Sequence, residues 1–494
     1  MELINLSPPA SSLIESIRSI GYSFESAVAD IVDNSISAKA SLININLNIN
    51  LVNDLTVEIV DNGMGMSPTR LREAMALGGK PGINRGENDL GRFGLGLKTA
   101  SFSQATVLTV VSNTKEHGMT GIQWDLNQVI KNNTWDANQL NENECQEFIK
   151  ENNLGKFESG TLVKWTNCDR LVQGLHDRNE LSGLINRYID ELKKKLSLTF
   201  HKYLEKSKFN LSVNGSLLKP MDPFAIKGGI NLAHSQILFK EEKYIDGSKI
   251  NISGYLLPHI SRMGGIEREK QISINGEHTA AQGLYLYRLD RLISYGGWQQ
   301  IIRSTEANKL ARIEICFDNE ADHLWQLDIK KSTATLPIAL RSRIRDLIRG
   351  VSHRSNEVFM RRVRMKKTNP NSVWERIYDK NSNTITYKID KNHPIIDKLV
   401  SEVGERGDYL NDLLVFIENT LPVDFISNDL VAGEGLVSRS NQEINDQISE
   451  LSEIVSNAGL SYEVFKETII GCGMYKLNPN ELDNIVENFR SKFV

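Results

Sequence analysis

The stretch that decides the fold is S-A-V-A-D-I-V-D-N-S-I-S-A-K-A, residues 26–40. Ala27, Ile31 and Asn34 are spaced at i, i+4 and i+7, which predicts a helix whose apolar face is interrupted by Asn34. Asp30 lies four residues before Asn34, so both side chains project from one face, one turn apart. A carboxylate and an amide beside an apolar stripe are costly to bury unless a polar group meets them. The pair therefore favours a polar ligand, and a magnesium-bound nucleotide is one candidate.

Two predicted strands follow this helix. Residues 41–50 alternate isoleucine or leucine with asparagine from residue 43 onward, which is typical of a half-buried strand. Residues 55–60, L-T-V-E-I-V, are the next strand, and they run directly into D-N-G-M-G-M at 61–66. An acidic residue at a strand end, followed by two glycines, suits a flat ligand that approaches the backbone. The alternative for this motif is an ordinary Asp-Gly hairpin turn.

A glycine-rich segment lies further along the chain. Residues 78–91 are polar and contain several glycines, and they lead into G-R-F-G-L-G-L-K-T-A-S at 91–101. Glycines before a helix N-terminus let backbone N–H groups converge on an anion. The segment is neither a Walker loop nor a dinucleotide fingerprint, because no Gly-Lys-Ser/Thr follows and the preceding segment is a loop. A Gly-Thr pair at 160–161 precedes a late predicted strand.

In this order, the four stretches resemble the GHKL (Bergerat-fold) ATPases. This group includes type II topoisomerases, heat-shock chaperones, histidine kinases and MutL. The bacterial microrchidia (MORC) proteins are the most similar in sequence pattern. The resemblance implies an α+β chain that begins with a Bergerat α/β sandwich and binds ATP with Mg²⁺.

The resemblance also implies a role for each matching residue. Asn34 would bind the magnesium ion, and a hard cation of this kind suits an amide oxygen together with phosphates and water. Asp61 would accept a hydrogen bond from the adenine amino group, with Thr161 supporting it through water. The residues that would form the rest of the nucleotide site are Gly63, Gly65 and Met66 at the base, and Gly91, Gly94, Leu95, Gly96, Leu97 and Lys98 at the phosphates.

Asp30 departs from the family pattern, because these ATPases usually have a water-activating Glu at this position. A general base must lie within hydrogen-bond reach of its water, and Asp is one methylene shorter. Neither Glu25 nor Asp33 is an obvious replacement, since each lies elsewhere on the helix. We expect Asp30 to be the catalytic base, and the alternative is a protein that binds ATP and hydrolyses it slowly or not at all.

The length of 494 residues predicts more than one domain. We expect an ATP-binding domain over 1–175, a transducer-like α/β domain over 176–350, and a basic segment followed by a mainly helical domain over 351–494. Within the transducer-like domain, residues 283–298 resemble the segment that MORC proteins have in the corresponding domain. By the same resemblance Lys330, or its neighbour Lys331, would reach the γ-phosphate.

One basic stretch stands out in a chain whose net charge is −4. Residues 341–367 (Arg341 to Lys367) contain ten Lys or Arg and only two acidic residues. This stretch is a candidate for binding the DNA phosphate backbone. The alternative is a helix packed on an acidic surface of the same protein.

The remaining expectations concern location and partners. Four scattered cysteines, no signal peptide and no apolar run long enough for a membrane span predict a cytoplasmic protein. The resemblance implies a switch that forms a homodimer on ATP binding and clamps DNA or a partner protein, such as a nuclease in DNA-targeting defence. The alternative is a chaperone-like ATPase that acts on protein clients without binding DNA.

Overall fold

A computed structural model describes residues 9–50, 53–77, 96–152, 154–172, 174–175, 177–226, 234–258, 272–274, 278–305, 308–325, 334–365, 373–379, 384–403, 407–420, 441–472 and 479–493. The chain divides into two compact units, residues 1–355 and 356–494. None of the helices within the described ranges is both long and apolar enough to cross a membrane.

The first sheet contains eight strands in the described part of the first unit, in the order β5-β4-β3-β6-β2-β1-β7-β8. The β1–β7 pair is parallel and the other neighbours are antiparallel. Its strands are β1 (Leu42–Ile49), β2 (Leu55–Asp61), β3 (Val107–Thr114), β4 (Gly118–Asp125), β5 (Asn138–Leu140), β6 (Gly160–Thr166), β7 (Asn210–Val213) and β8 (Ser216–Leu217).

Helices cover this sheet and share its core. They are α1 (Ala10–Arg18), α2 (Phe24–Ser37), α3 (Pro68–Met75), α4 (Gly96–Phe102), α5 (Leu126–Asn132), α6 (Glu142–Asn152), α7 (Asp169–Val172), α8 (Arg178–Thr199) and α9 (His201–Glu205). The alternation predicted for β1 is confirmed, because Ile43, Ile45 and Leu47 are buried. The strand β2 is buried along its whole length, which requires cover on both faces of the sheet.

The second cover comes from a segment rich in Asn, Glu and Gln, residues 128–156. Cys145 and Ile149 of α6, together with Leu154, pack against Val60 and Leu162 of the sheet. Their spacing is helical, but the surrounding Asn, Glu and Gln residues mask it in the sequence.

The strands β7 and β8 belong to the first sheet although they lie beyond residue 175. They form a hairpin at the Asn214-Gly215 turn, and β7 pairs with β1 through residues 210–213. The helix α8 packs on this sheet as well. The second sheet therefore starts later in the chain, at Gln236.

The second sheet has five strands in the described part of the unit, in the order β12-β11-β13-β10-β9. They are β9 (Gln236–Ile245), β10 (Ser248–Leu256), β11 (Gly283–Arg288), β12 (Arg291–Tyr295) and β13 (Ala311–Phe317), with a short helix α10 (His278–Ala281) before β11. The long helix α11 (Ile338–Met365) contributes Leu340, Ile344 and Ile348 to this core. Residues 272–274 form a helical turn.

The second unit contains one hairpin and five helices among its described residues. The hairpin joins β14 (Trp374–Asp379) to β15 (Thr384–Ile389), and the helices are α12 (Pro394–Val403), α13 (Gly407–Asn419), α14 (Asn441–Asn457), α15 (Tyr462–Cys472) and α16 (Pro479–Glu487). Ile448, Phe465 and Ile469 lie at the centre of its core. The prediction of a mainly helical C-terminal part is confirmed, and the hairpin is an addition to it.

Candidate functional site

The helix α2 carries the first part of the candidate site. It begins after Ser23, whose side chain accepts a hydrogen bond from the Ser26 N–H (3.3 Å), a standard N-cap arrangement. Asp30 is buried, whereas Asn34, one turn further along, is exposed. The side chain of Asn34 is therefore open to solvent, whereas the Asp30 carboxylate lies inside the fold.

Asp61 lies at the end of β2, where the sequence placed it. Its Oδ1 accepts the Gly63 N–H (2.8 Å) and its Oδ2 accepts the hydroxyl of Ser35 from α2 (2.8 Å). Burial raises the pKa of Asp61 above its usual value, while the hydrogen bonds from Ser35, Gly63 and the Thr161 N–H act in the opposite direction. The carboxylate is thus a buried acceptor held between a strand and a helix.

Thr161 lies directly beside Asp61, because the two residues are register partners in the β2–β6 pair. The Thr161 hydroxyl is 3.1 Å from the hydroxyl of Ser112 on β3. Ser112 also accepts the Met66 N–H (2.8 Å). A continuous set of polar groups therefore joins Thr161 to the Gly-rich turn after β2.

The glycines of that turn are required by space. A Cβ on Gly63 would lie 2.8 Å from the Cβ of Ala38, and one on Gly65 would lie 2.2 Å from the carbonyl oxygen of Asn113. Gly65 also has φ +67°, a conformation that side chains disfavour. The turn therefore brings backbone, rather than side chains, close to Asp61.

This geometry agrees with a comparison against known families. Residues 22–161 match the model for histidine kinase-, DNA gyrase B-, and HSP90-like ATPases. Residues 22–161 form a GHKL-type ATPase domain. A search of curated proteins finds no match to the chain.

The described residues of the ATPase domain fit the nucleotide that this family binds. At the base end, Asp61 is a buried acceptor beside a turn without side chains. On α2, Asn34 is exposed, and its side chain has an amide oxygen of the kind that Mg²⁺ accepts. A Cβ on Gly96, the first residue of α4, would be 3.8 Å from Asp30 Oδ2, so Asp30 faces the start of that helix.

Lys98 is held inside the ATPase domain in this structure. Its ammonium donates to the Ala74 carbonyl oxygen at the end of α3 (2.8 Å), and burial lowers its pKa to about 8. Gly96 and Leu97 are half-buried at the start of α4. The predicted phosphate contact of Lys98 involves its backbone, which this side-chain position leaves unchanged.

Several predicted site residues lie outside the described part of the chain: Gly91, Gly94, Leu95, Lys330 and Lys331. The polar part of the glycine-rich segment, from residue 78 onward, lies outside it too. Their assignments therefore stay predictions.

The structure adds an ion-pair cluster that the sequence did not indicate. Arg291, the first residue of β12 in the second sheet, reaches α2 and is buried there. Its Nε donates to Asp33 Oδ1 (2.8 Å) and its Nη2 donates to Asp30 Oδ1 (3.2 Å). Burial opposes the charge of Arg291, but Asp33 and Asp30 outweigh it, so that its pKa is raised.

Tyr22 completes this cluster. Its hydroxyl donates to Asp30 Oδ2 (2.9 Å), so both oxygens of the candidate base have a protein donor. Each carboxylate oxygen can accept more than one hydrogen bond. No local pattern marks Tyr22, Asp33 or Arg291 in the sequence. For Ser35, its place directly after Asn34 was the available signal.

Proposed function

We propose that the protein is an ATP-dependent conformational switch in which the ATPase domain binds Mg-ATP and hydrolyses it slowly. One observation supports this proposal: α2 bears Asp30 and Asn34, its Ser35 bonds to Asp61, and a residue of the second sheet, Arg291, bonds to Asp30 on the same helix. A nucleotide at this site therefore has a direct connection to the neighbouring sheet.

In the proposed mechanism each residue has a separate task. Asp61 accepts the adenine amino group, and Asn34 ligates the magnesium ion, which neutralises phosphate charge when it is bound. Asp30 removes the proton of the attacking water, and the N–H groups at 91–98 hold the phosphates. Lys330 contacts the γ-phosphate and thereby couples ATP binding to the transducer-like domain.

The decisive experiment measures ATP binding and turnover for the wild type, Asp30→Ala and Asp30→Glu. We expect Asp30→Ala to lose turnover by a factor of about 100 to 10,000, the usual contribution of a general base, while binding is retained. Equal turnover in the wild type and in Asp30→Ala would remove Asp30 from this role. Absence of ATP binding by the wild type would overturn the proposal as a whole.

We further propose that ATP binding produces a homodimer that closes on DNA through α11. Arg341, Arg345 and Arg349 are exposed on one face of this helix, next to the face that buries Ile344 and Ile348. Three arginines in one row suit a phosphate backbone. Light scattering with a non-hydrolysable ATP analogue tests the dimer, and a stable monomer at every nucleotide concentration contradicts it.

The DNA contact has its own test. Reversing Arg341, Arg345 and Arg349 to Glu removes three phosphate contacts and should reduce the slope of log K against log salt by about 3. Reversal of three exposed lysines on the ATPase domain, Lys115, Lys131 and Lys150, is the matched control. If both triple variants bind DNA like the wild type, the contact lies elsewhere.

A chaperone-like ATPase that acts on protein clients is the second candidate. Arg343 of the same helix pairs with Glu241 on β9, its Nε lying 3.0 Å from Glu241 Oε2. This pair uses one charge of the basic stretch in a contact within the same chain, as a purely structural helix would. Absence of DNA binding at low salt would favour this function.

In either case we propose a cytoplasmic location, which the free thiols of Cys145, Cys168 and Cys316 support.

A further inference from the structure

The contact between Arg291 and α2 joins the two sheets of the first unit at the helix that carries the candidate base. Arg291 follows a tight turn in which Leu289 and Asp290 both have positive φ (50° and 69°). This turn joins β11 to β12 at the edge of the second sheet. The guanidinium therefore extends from the second sheet and ends between two carboxylates of α2, a helix that covers the first sheet.

The chemistry of this contact requires an arginine. Asp30 and Asp33 are three residues apart on α2, and both carboxylates are buried. One guanidinium bonds to both, through Nε and Nη2. A planar group with a fork of donors can do this, whereas an ammonium is a point charge that cannot bridge the two acceptors in the same geometry.

The contact also determines where the Asp30 carboxylate points. Arg291 holds Oδ1 from the side of the second sheet, and Tyr22 holds Oδ2 from the chain just before α2. The ring of Phe200 lies 5.9 Å from the guanidinium carbon and limits the space on that side. With two donors at fixed positions, the carboxylate has one orientation, and it faces the first residue of α4.

We propose that Arg291 is a positioning residue for ATP hydrolysis, which sets the orientation of Asp30 and makes turnover depend on the seating of the β11–β12 turn against α2. This inference rests on the proposed function. It adds a second-sheet residue to the site, and it gives the second sheet control over the hydrolytic step without any contact between Arg291 and the nucleotide.

Arg288 provides a matched control for this role, because it flanks the same turn on the other strand. It is equally buried and forms two hydrogen bonds to Asp322, through Nε (2.6 Å) and Nη2 (2.8 Å). Its partner belongs to the second-sheet region and not to α2. Loss of Arg288 therefore removes a buried ion pair of similar size and leaves the contact to Asp30 in place.

The experiment compares the full chain with Arg291→Gln, Arg291→Lys and Arg288→Gln. Turnover is measured as kcat and KM, nucleotide affinity is measured separately by calorimetry, and hydrogen exchange is followed in residues 24–37. We expect Arg291→Gln to lower kcat at least tenfold while nucleotide affinity changes less than threefold, and to increase exchange in α2. Arg291→Lys should recover part of kcat, and Arg288→Gln should leave kcat within twofold.

Three kinetic results would overturn the inference while the proposed function stands: an unchanged or increased kcat in Arg291→Gln, an equal loss in Arg288→Gln, or a loss of kcat explained by weaker nucleotide binding. Exchange in α2 that is the same in Arg291→Gln and the wild type also overturns it, and this readout does not require hydrolysis. Absence of turnover in the wild type refutes the hydrolytic part of the proposed function instead.

Discussion

Replacing Asp61 by Asn separates nucleotide recognition from stability at the base end of the site. The side chains have the same shape, but one carboxylate oxygen becomes an NH₂ donor. Asn can still accept the Gly63 N–H, and it can donate to Ser35, whose hydroxyl also accepts. The adenine amino group, itself a donor, would then face either an oxygen already in use or another donor.

We expect ATP affinity to fall and the stability of the fold not to fall. A hydrogen bond to a charged group contributes about 1.5–3 kcal/mol, so ATP affinity should fall by roughly 10- to 150-fold. Stability should not fall, because burial raises the pKa of Asp61. A carboxylate with a raised pKa stabilises the fold below its unfolded-state pKa, and this contribution is lost as the pH rises through the folded-state pKa. At pH 7 the neutral Asn therefore removes an unfavourable charge.

The assay is calorimetric titration with ATP and with a purine nucleoside triphosphate that lacks the 6-amino group, together with thermal unfolding. The wild type should prefer ATP, and Asp61→Asn should bind both ligands with equal, weak affinity. Asp54→Asn is the control, since Asp54 precedes the other end of β2 and accepts the Asn167 N–H (2.8 Å). The reasoning is refuted if Asp61→Asn still prefers ATP, or if its loss of affinity accompanies a large loss of stability.

Two further predictions concern the same domain. Gly65→Ala and Gly118→Ala both place a side chain at positive φ (+67° and +66°), which costs about 1–2 kcal/mol, but only the first puts a Cβ 2.2 Å from the Asn113 oxygen. Unfolding in denaturant should therefore show a larger loss for Gly65→Ala, and equal losses would contradict the close packing of this turn. Lys98 has a pKa lowered to about 8, so the wild type should gain up to about 3 kcal/mol of stability as the pH rises from about 8 to 10.5. Lys98→Met should lack this gain in pH-dependent unfolding, and an unchanged slope would show that Lys98 is not its source.

The parts of the fold that the sequence predicted are those encoded by local patterns. The alternation from Ile43 to Asn50 defines β1, and the apolar stripe with Asp30 and Asn34 defines α2. Each is set by neighbours within one or two turns of the chain, so that burial of one face is visible in the residue order. Asp61 belongs to this class, because its position at a strand end follows from the strand itself.

The parts that the sequence did not predict depend on contacts between distant segments. The strand β9 carries several charges and is largely exposed, since it lies at the edge of its sheet, so no alternation marks it. The partner of Asp33 is 258 residues away. The sequence of α2 contains acidic residues and no Lys or Arg. Only the fold shows that Arg291 compensates their charge.

The exchange of Glu for Asp at position 30 has a physical account in this arrangement. The Tyr22 hydroxyl and the Arg291 guanidinium lie at hydrogen-bond distance from an aspartate carboxylate at position 30. The carboxylate faces Gly96, the first residue of α4. Extending the side chain by one methylene would move both oxygens away from donors fixed in two different segments. The short side chain and Arg291 therefore act together. Asp30→Glu introduces the residue that is usual in the family. We expect this variant to lose the hydrogen bond to Arg291 of the second sheet and to gain no turnover over the wild type.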